Sequence, residues 1–251
     1  MQRVIRGLLA VCFLLACVHP TAAQSVDEIV ERHLTAAGGR TSLEKLTSRV
    51  MTGTITLPTP AGDLTGPIEI SNAMPNKERT LISLDLTALG AGKMTVDRRF
   101  DGESGYVIDS LQGNRDITGL ELENIRNQAA GFRSPFLVYK QAGTSVTLQG
   151  KEKVGDRDAY VLIAKPESGS TVRVYIDAES FLVLKSVSTT EAAQVGQFEL
   201  TTELLDYRDV DGVKLPFHIK ATSPVQSFDV VVAKVEHNVT LAPSIFAKPA
   251  N

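Results

Sequence analysis

The chain has 251 residues, with 26 Lys and Arg against 29 Asp and Glu and a formal net charge of −3. That mildly acidic balance argues against nucleic acid as a partner, because phosphate binding needs clustered Lys and Arg. Both cysteines, Cys12 and Cys17, lie near the start, so nothing downstream can form a disulfide, a thiol nucleophile or a Cys-bound metal site.

Residues 1–23 read as a secretory signal peptide. Arg3 and Arg6 form a basic head, and Gly7 to Ala16 is a ten-residue apolar run, short of the roughly 20 residues that span a bilayer. Thr21-Ala22-Ala23 supplies small residues before a cleavage point, with Gln24 as the new first residue. The mature domain is then 24–251, with a net charge of −5 once Arg3 and Arg6 are gone, and its expected location is the periplasm. Leu14-Leu15-Ala16-Cys17 offers a second reading, since it resembles a lipobox that would make Cys17 the lipid anchor of an outer-membrane lipoprotein. No later apolar run approaches membrane-spanning length, so no transmembrane segment is expected.

Helix signals come next. Ser25 with Glu28 reads as a capping box for a helix carrying Val26, Ile29, Val30, His33 and Leu34, closed by Gly38-Gly39. Thr41 with Glu44 predicts a second, short helix, and Thr118 with Glu121 a third with Leu122, Ile125, Ala129 and Phe132 at helical spacing. Ser134-Pro135 predicts a fourth, ending at Gly143.

Nearly everything else reads as strand: 49–57, 64–72, 77–86, 92–100, 104–109, 145–153, 158–165, 171–177, 181–188, 197–207, 213–221 and 227–237. Val213 to Ala221 alternates as a half-buried antiparallel strand should, with Pro216 demanding an edge or bulge. Phe181–Leu184, Tyr160–Ala164 and Val230–Val232 are continuous apolar runs, which points to a sheet covered on both faces in places. The expected class is mainly β with a few helices (α+β): one antiparallel sheet curling around helices, without a linker or repeat to divide it.

Catalytic signals are weak. His33, His218 and His237 have no metal-ligand spacing, so no metal or other cofactor is expected. Ser42-Leu43-Glu44-Lys45 matches S-x-x-K but lacks its companion motifs, and Gly102-Glu103-Ser104-Gly105 falls short of a nucleophile elbow. Asn238-Val239-Thr240 is formally a glycosylation sequon, and Asp206, Asp209 and Asp211 gather at a turn where solvated carboxylates are usual. No catalytic residue is assigned and the chain is read as a non-enzyme. Apolar residues concentrate instead on the central insertion, with Leu122, Ile125, Phe132, Phe136 and Leu137 as candidate flap residues over a site for an apolar ligand.

Several phrases resemble exported bacterial proteins of the outer-membrane lipoprotein-sorting and carrier superfamily, the LolA/LolB-like fold. They are Val26-Asp27-Glu28-Ile29 with Ala36-Ala37-Gly38-Gly39, Val174-Tyr175-Ile176-Asp177-Ala178-Glu179, Tyr207 to Phe217, and Ser244 to Pro249. The resemblance implies an incomplete barrel of about 11 strands with helices covering its concave face. It also implies a cavity for lipid or lipoprotein acyl chains, and a strand arginine that helps hold the cover shut; Arg79, Arg98 and Arg99 all lie on predicted strands. The expected function is that of a periplasmic carrier or binding protein, acting as a monomer. The alternative is a cell-envelope interaction or scaffold protein, lipid-anchored through Cys17.

Overall fold

Short turns between alternating segments make each strand pair with its neighbour in sequence, and the result is one antiparallel sheet of 13 strands. The computed structural model describes residues 24–87, 90–192 and 196–249; the predicted leader and Cys17 lie outside them. The first half runs β1 (Ser48–Leu57), β2 (Leu64–Ala73), β3 (Lys77–Asp85), β4 (Lys93–Phe100), β5 (Gly105–Asp109) and β6 (Arg115–Ile117). The second runs β7 (Ser145–Val154), β8 (Arg157–Lys165), β9 (Val172–Asp177), β10 (Val183–Ala192), β11 (Gly196–Val210), β12 (Val213–Thr222) and β13 (Ser227–His237). The halves join at the centre, where β1 pairs with β13 from Arg49↔His237 to Thr56↔Asp229. That leaves β6 and β7 as the two edges.

Three α-helices accompany the sheet: α1 (Val26–Ala36), α2 (Arg40–Glu44) and α3 (Gly119–Ala130). α3 touches β3 and β4 on one side and β10 on the other. β3 and β10 are six steps apart in the sheet order, about 29 Å if the sheet were flat at ~4.8 Å per strand. A 12-residue helix, about 18 Å long, meets both only because the sheet curls. No helix among the described residues is long and apolar enough to cross a membrane.

The main core lies on the inner face of the curl. Ile29, Val30 and Leu34 of α1 and Leu43 of α2 pack there with Met51, Ile55, Ile68, Leu162, Ile176, Phe217, Val230 and Val232. On β8 and β9 the outer face is buried too, with Ala159, Val161 and Tyr175 joined by Leu184. The continuous run Tyr160–Ala164 therefore belongs to a strand covered on both sides. Val230–Val232 does not, because Val231 points outward and is 54% exposed.

The structure revises several expectations. There are 13 strands rather than about 11, β6 being only three residues long and too short to show an alternation. Of the predicted capping boxes only the Ser25 half of one forms, its hydroxyl oxygen accepting from Glu28 N at 3.2 Å, while the Glu28 carboxylate takes Gln24 and Arg32 instead. α2 starts at Arg40 behind Gly39 rather than at a Thr41 cap. Thr118 makes no side-chain cap bond, and the Glu121 carboxylate pairs with Arg115. The predicted fourth helix is a single 3-10 turn, Pro135–Leu137. Phe181 and Leu182 lie outside β10, just after a turn at 178–180 that the Asp177 carboxylate closes by drawing in Ser180 N at 2.8 Å, and Phe181 has φ +59°. Pro216 sits in β12 beyond the stretch paired with β13, which spans His218 to Thr222, so its missing N–H interrupts nothing on that side.

Candidate functional site

Residues 118–144 connect β6 to β7, and so carry the chain from one free edge of the sheet to the other. This segment, the flap, holds all five candidate residues and divides them into two groups. Ile125 is fully buried and Leu122 partly so, against Phe100 of β4, Val107 of β5 and Ile117 of β6. Phe132, Phe136 and Leu137 enter the main inner-face core with α1. The Phe136 ring meets the buried His33 ring edge-on, with centroids 5.4 Å apart.

Side chains, not strand pairing, fasten the flap. Asn124 of α3 donates to Thr189 O at 3.2 Å and accepts from Ser170 N at 2.9 Å, while Asn127 donates to Ser168 O at 2.8 Å. At the other end the Tyr139 hydroxyl donates to Asp27 Oδ1 at 2.7 Å, and Lys140 Nζ lies 2.8 Å from the same oxygen. Lys140 and Tyr139 together hold the Asp27 carboxyl below the usual range. Arg133 reaches Glu44 O at 3.3 Å. Burial lowers the His33 pKa, partly offset by the hydrogen bond between its Nδ1 and Phe181 O at 2.9 Å.

The inner face also carries a polar island beneath the flap. Arg49 alternates with the inward Met51 on β1 and is partnered by Asn72 of β2, which in turn faces Glu78 of β3. Arg49 Nη2 donates to Asn72 Oδ1, and Asn72 Nδ2 to Glu78 Oε2, each at 3.3 Å. The Arg49 guanidinium lies 5.7 Å from the Phe132 ring centroid. Burial pushes the Glu78 carboxyl up, against the pull of Arg98, Asn72 and Arg49, and pushes Arg49 down to about 10. Sequence reasoning missed Arg49 and Glu78. The period-two relation of Arg49 to Met51 was the available signal.

Of the arginines named from sequence, Arg79 and Arg99 face outward and both bind Asp97; only Arg98 shares the inner wall with Phe100. The remaining candidates are dispersed. His218 pairs with Asp229, His237 with Asp211, and Ser104 hydrogen-bonds Asp101 within its own turn. Asn238 accepts from Thr47 N at 2.8 Å, so its side chain serves the join between β13 and β1. Asp206 binds Arg208, and Asp209 accepts from Gly212 N. No group of three metal-ligating side chains occurs among the described residues.

Two surface grooves lie away from the inner face. One of about 510 Å³ is lined by Pro75, Asn76, Gly102, Pro243 and Ala247, and one of about 390 Å³ by Glu28, Arg32, Thr35 and Phe181. The inner face itself is occupied by α1, α2 and the end of the flap.

No protein-family model matches this chain, and no curated protein matches it in sequence. Solved structures do match in shape. A DUF1329 family protein from Desulfovibrio piger superposes with a TM-score of 0.56 at 15% identity, over 90% of this chain and 98% of that one. A LolA superfamily protein from Nitrosomonas europaea gives 0.55 at 14% identity, over 90% of this chain and 99% of that one. A Vibrio parahaemolyticus domain described as a putative outer membrane lipoprotein-sorting protein gives 0.55 at 13% identity, over 87% and 94%. Across nearly its whole described length, this chain has the fold of LolA-like, lipoprotein-sorting proteins.

Proposed function

We propose that this chain is an exported, non-enzymatic carrier or binding protein for lipid or lipoprotein acyl chains, with the inner face as its site. One observation carries the reading. The flap over part of the apolar inner face bridges two strand edges and is held by side-chain hydrogen bonds, ion pairs and packing, so it can leave as a unit without breaking a strand pair. An acyl chain would take the place of Phe132, Phe136 and Leu137, exchanging one apolar surface for another. Each buried methylene contributes about 0.8 kcal/mol, so a chain of ordinary length can offset the loss of those side chains. The LolA-like fold supports the same reading, and the leader predicted at 1–23 supports a periplasmic location.

Arg49 fits the role that the family resemblance gives to a strand arginine. Its contact with Phe132 ties β1 to the flap in the closed form. The chain contains no Trp, so Phe136→Trp introduces a single tryptophan, selectively excited apart from the tyrosines, at the exchanging surface. Its emission is expected to shift on titration with a saturated acyl ligand. Native mass spectrometry of protein purified from its own periplasm is expected to show bound lipid. Absence of copurified lipid together with no uptake of a fluorescent acyl probe would overturn the reading.

A further inference from the structure

The inner wall is not apolar throughout. Arg49 and Arg98 face a single carboxylate, Glu78, which leaves one unmatched positive charge on that wall. Glu78 is 2% exposed, yet its Oε1 has no hydrogen-bond partner among the described residues, and neither do the enclosed Nε atoms of Arg49 and Arg98. The outer-face group Arg79, Asp97 and Arg99 does not supply the missing contacts; it lies on the opposite side of β3 and β4, where Asp97 takes both arginines and Glu69 and Ala247 O complete the set. Enclosed polar atoms without partners are costly, and a wall serving only hydrocarbon would be more stable with apolar residues here. Of the two arginines, Arg49 lies against Phe132 of the flap.

We propose that this polar island receives the anionic head group, a carboxylate or phosphate, of an acyl amphiphile whose tail lies along the apolar part of the inner face. The proposal rests on the acyl-binding reading above and adds the charge of the ligand and the wall that holds it. With Phe132 displaced, Arg49 and Arg98 present N–H donors suited to the oxygens of an anion. In the closed form Glu78 acts as the internal counter-ion, and the incoming anion competes with it for the two guanidinium groups.

The test is calorimetric titration of the delipidated full chain, below micelle-forming concentrations, with dodecanoic acid, its methyl ester and dodecanoyl lysophosphatidic acid. The two anionic ligands are expected to bind at least about tenfold more tightly than the ester, a factor equal to one decade of Kd. Arg49→Met and Arg98→Met should each remove that preference, read as the ratio of ester to acid Kd within the same variant so that any change in flap opening cancels. Glu78→Gln should strengthen binding of the acid, which a merely structural role would not do. Equal affinity for acid and ester would overturn this proposal and leave the acyl-chain reading standing; binding of neither would remove both. Should an arginine variant fail to fold, Glu78→Gln still decides, because unchanged or weaker acid binding there overturns the idea. Millimolar inorganic phosphate is expected not to displace dodecanoate, and displacement would assign the island to a free anion instead.

Discussion

Tyr139 and Asp27 are 112 residues apart in sequence, and the hydroxyl of one donates to the carboxylate of the other at 2.7 Å. This bond closes the exit of the flap onto the first turn of α1, where Lys140 Nζ meets the same oxygen. Asp27→Asn and Tyr139→Phe should each speed uptake of a fluorescent acyl probe in stopped-flow mixing, with little change in melting temperature. The Asp27 carboxylate is exposed, and Tyr139→Phe keeps the buried ring while removing only the hydroxyl, so the loss falls on local opening more than on global stability.

Asn124 and Asn127 hold the other end of the flap to the loop after β8 and to β10. Each such hydrogen bond contributes about 0.5–1.5 kcal/mol. Asn124→Ala combined with Asn127→Ala should raise hydrogen exchange across residues 119–130 while the amides of β1 and β13 stay protected. Equal acceleration in both regions would mean that the flap does not open separately from the sheet.

His33 should make stability pH-dependent. Burial lowers its pKa in the folded state, so the unfolded chain binds the proton more readily. Its contribution is complete above about pH 6.5, the unfolded value, and declines as pH falls towards the folded pKa. The slope from this one group is at most about 1.4 kcal/mol per pH unit. Denaturant melts of the wild type should weaken from pH 7 to pH 5, and His33→Gln should flatten that decline.

Gly38 sits at φ +123°, and a Cβ there would lie 2.2 Å from Gly212 O. The close approach joins the end of α1 to the β11–β12 turn, where Lys214 N donates to Ala37 O at 3.0 Å. Gly38→Ala should destabilise the protein by more than about 1 kcal/mol, since both the backbone conformation and the contact exclude a side chain. A shift in urea midpoint without a change in slope would register it.

The segment after β13 lies against the outer face of the first half-sheet. Arg99 donates to Ala247 O at 3.1 Å, Lys248 pairs with Asp116 at 2.8 Å, and Phe246 is 2% exposed. Phe246→Ala should cost about 3–5 kcal/mol, measurable by chemical denaturation, and acyl-probe affinity should be unaffected in the folded fraction.

Twelve of the 13 strands were visible in the sequence because alternation and short turns are local signals. The same locality explains the errors. Phe181 and Leu182 look like strand residues, but they follow a turn at 178–180 that is held by the Asp177 carboxylate, which binds Ser180 and Arg157. Thr118 looks like half of a capping box, but Glu121 is taken by Arg115, six residues back. The apolar flap residues were legible as a cluster, whereas their division between two cores depends on how the sheet curls. Arg49 and Glu78 became neighbours only through the β1–β2 and β2–β3 registers, which no single segment encodes.

The β1–β13 seam has a consequence for how the molecule is made. Each half of the sheet is built from local hairpins that can form soon after synthesis, but β1 gains its second neighbour only when residues 227–237 are complete. Until then Met51 and Ile55 belong to an unfinished border, and a nascent or truncated molecule presents that border to its fellows. The most distant parts of the polypeptide thus meet in the middle of the sheet, in the kind of pairing that carries the largest loop-closure cost.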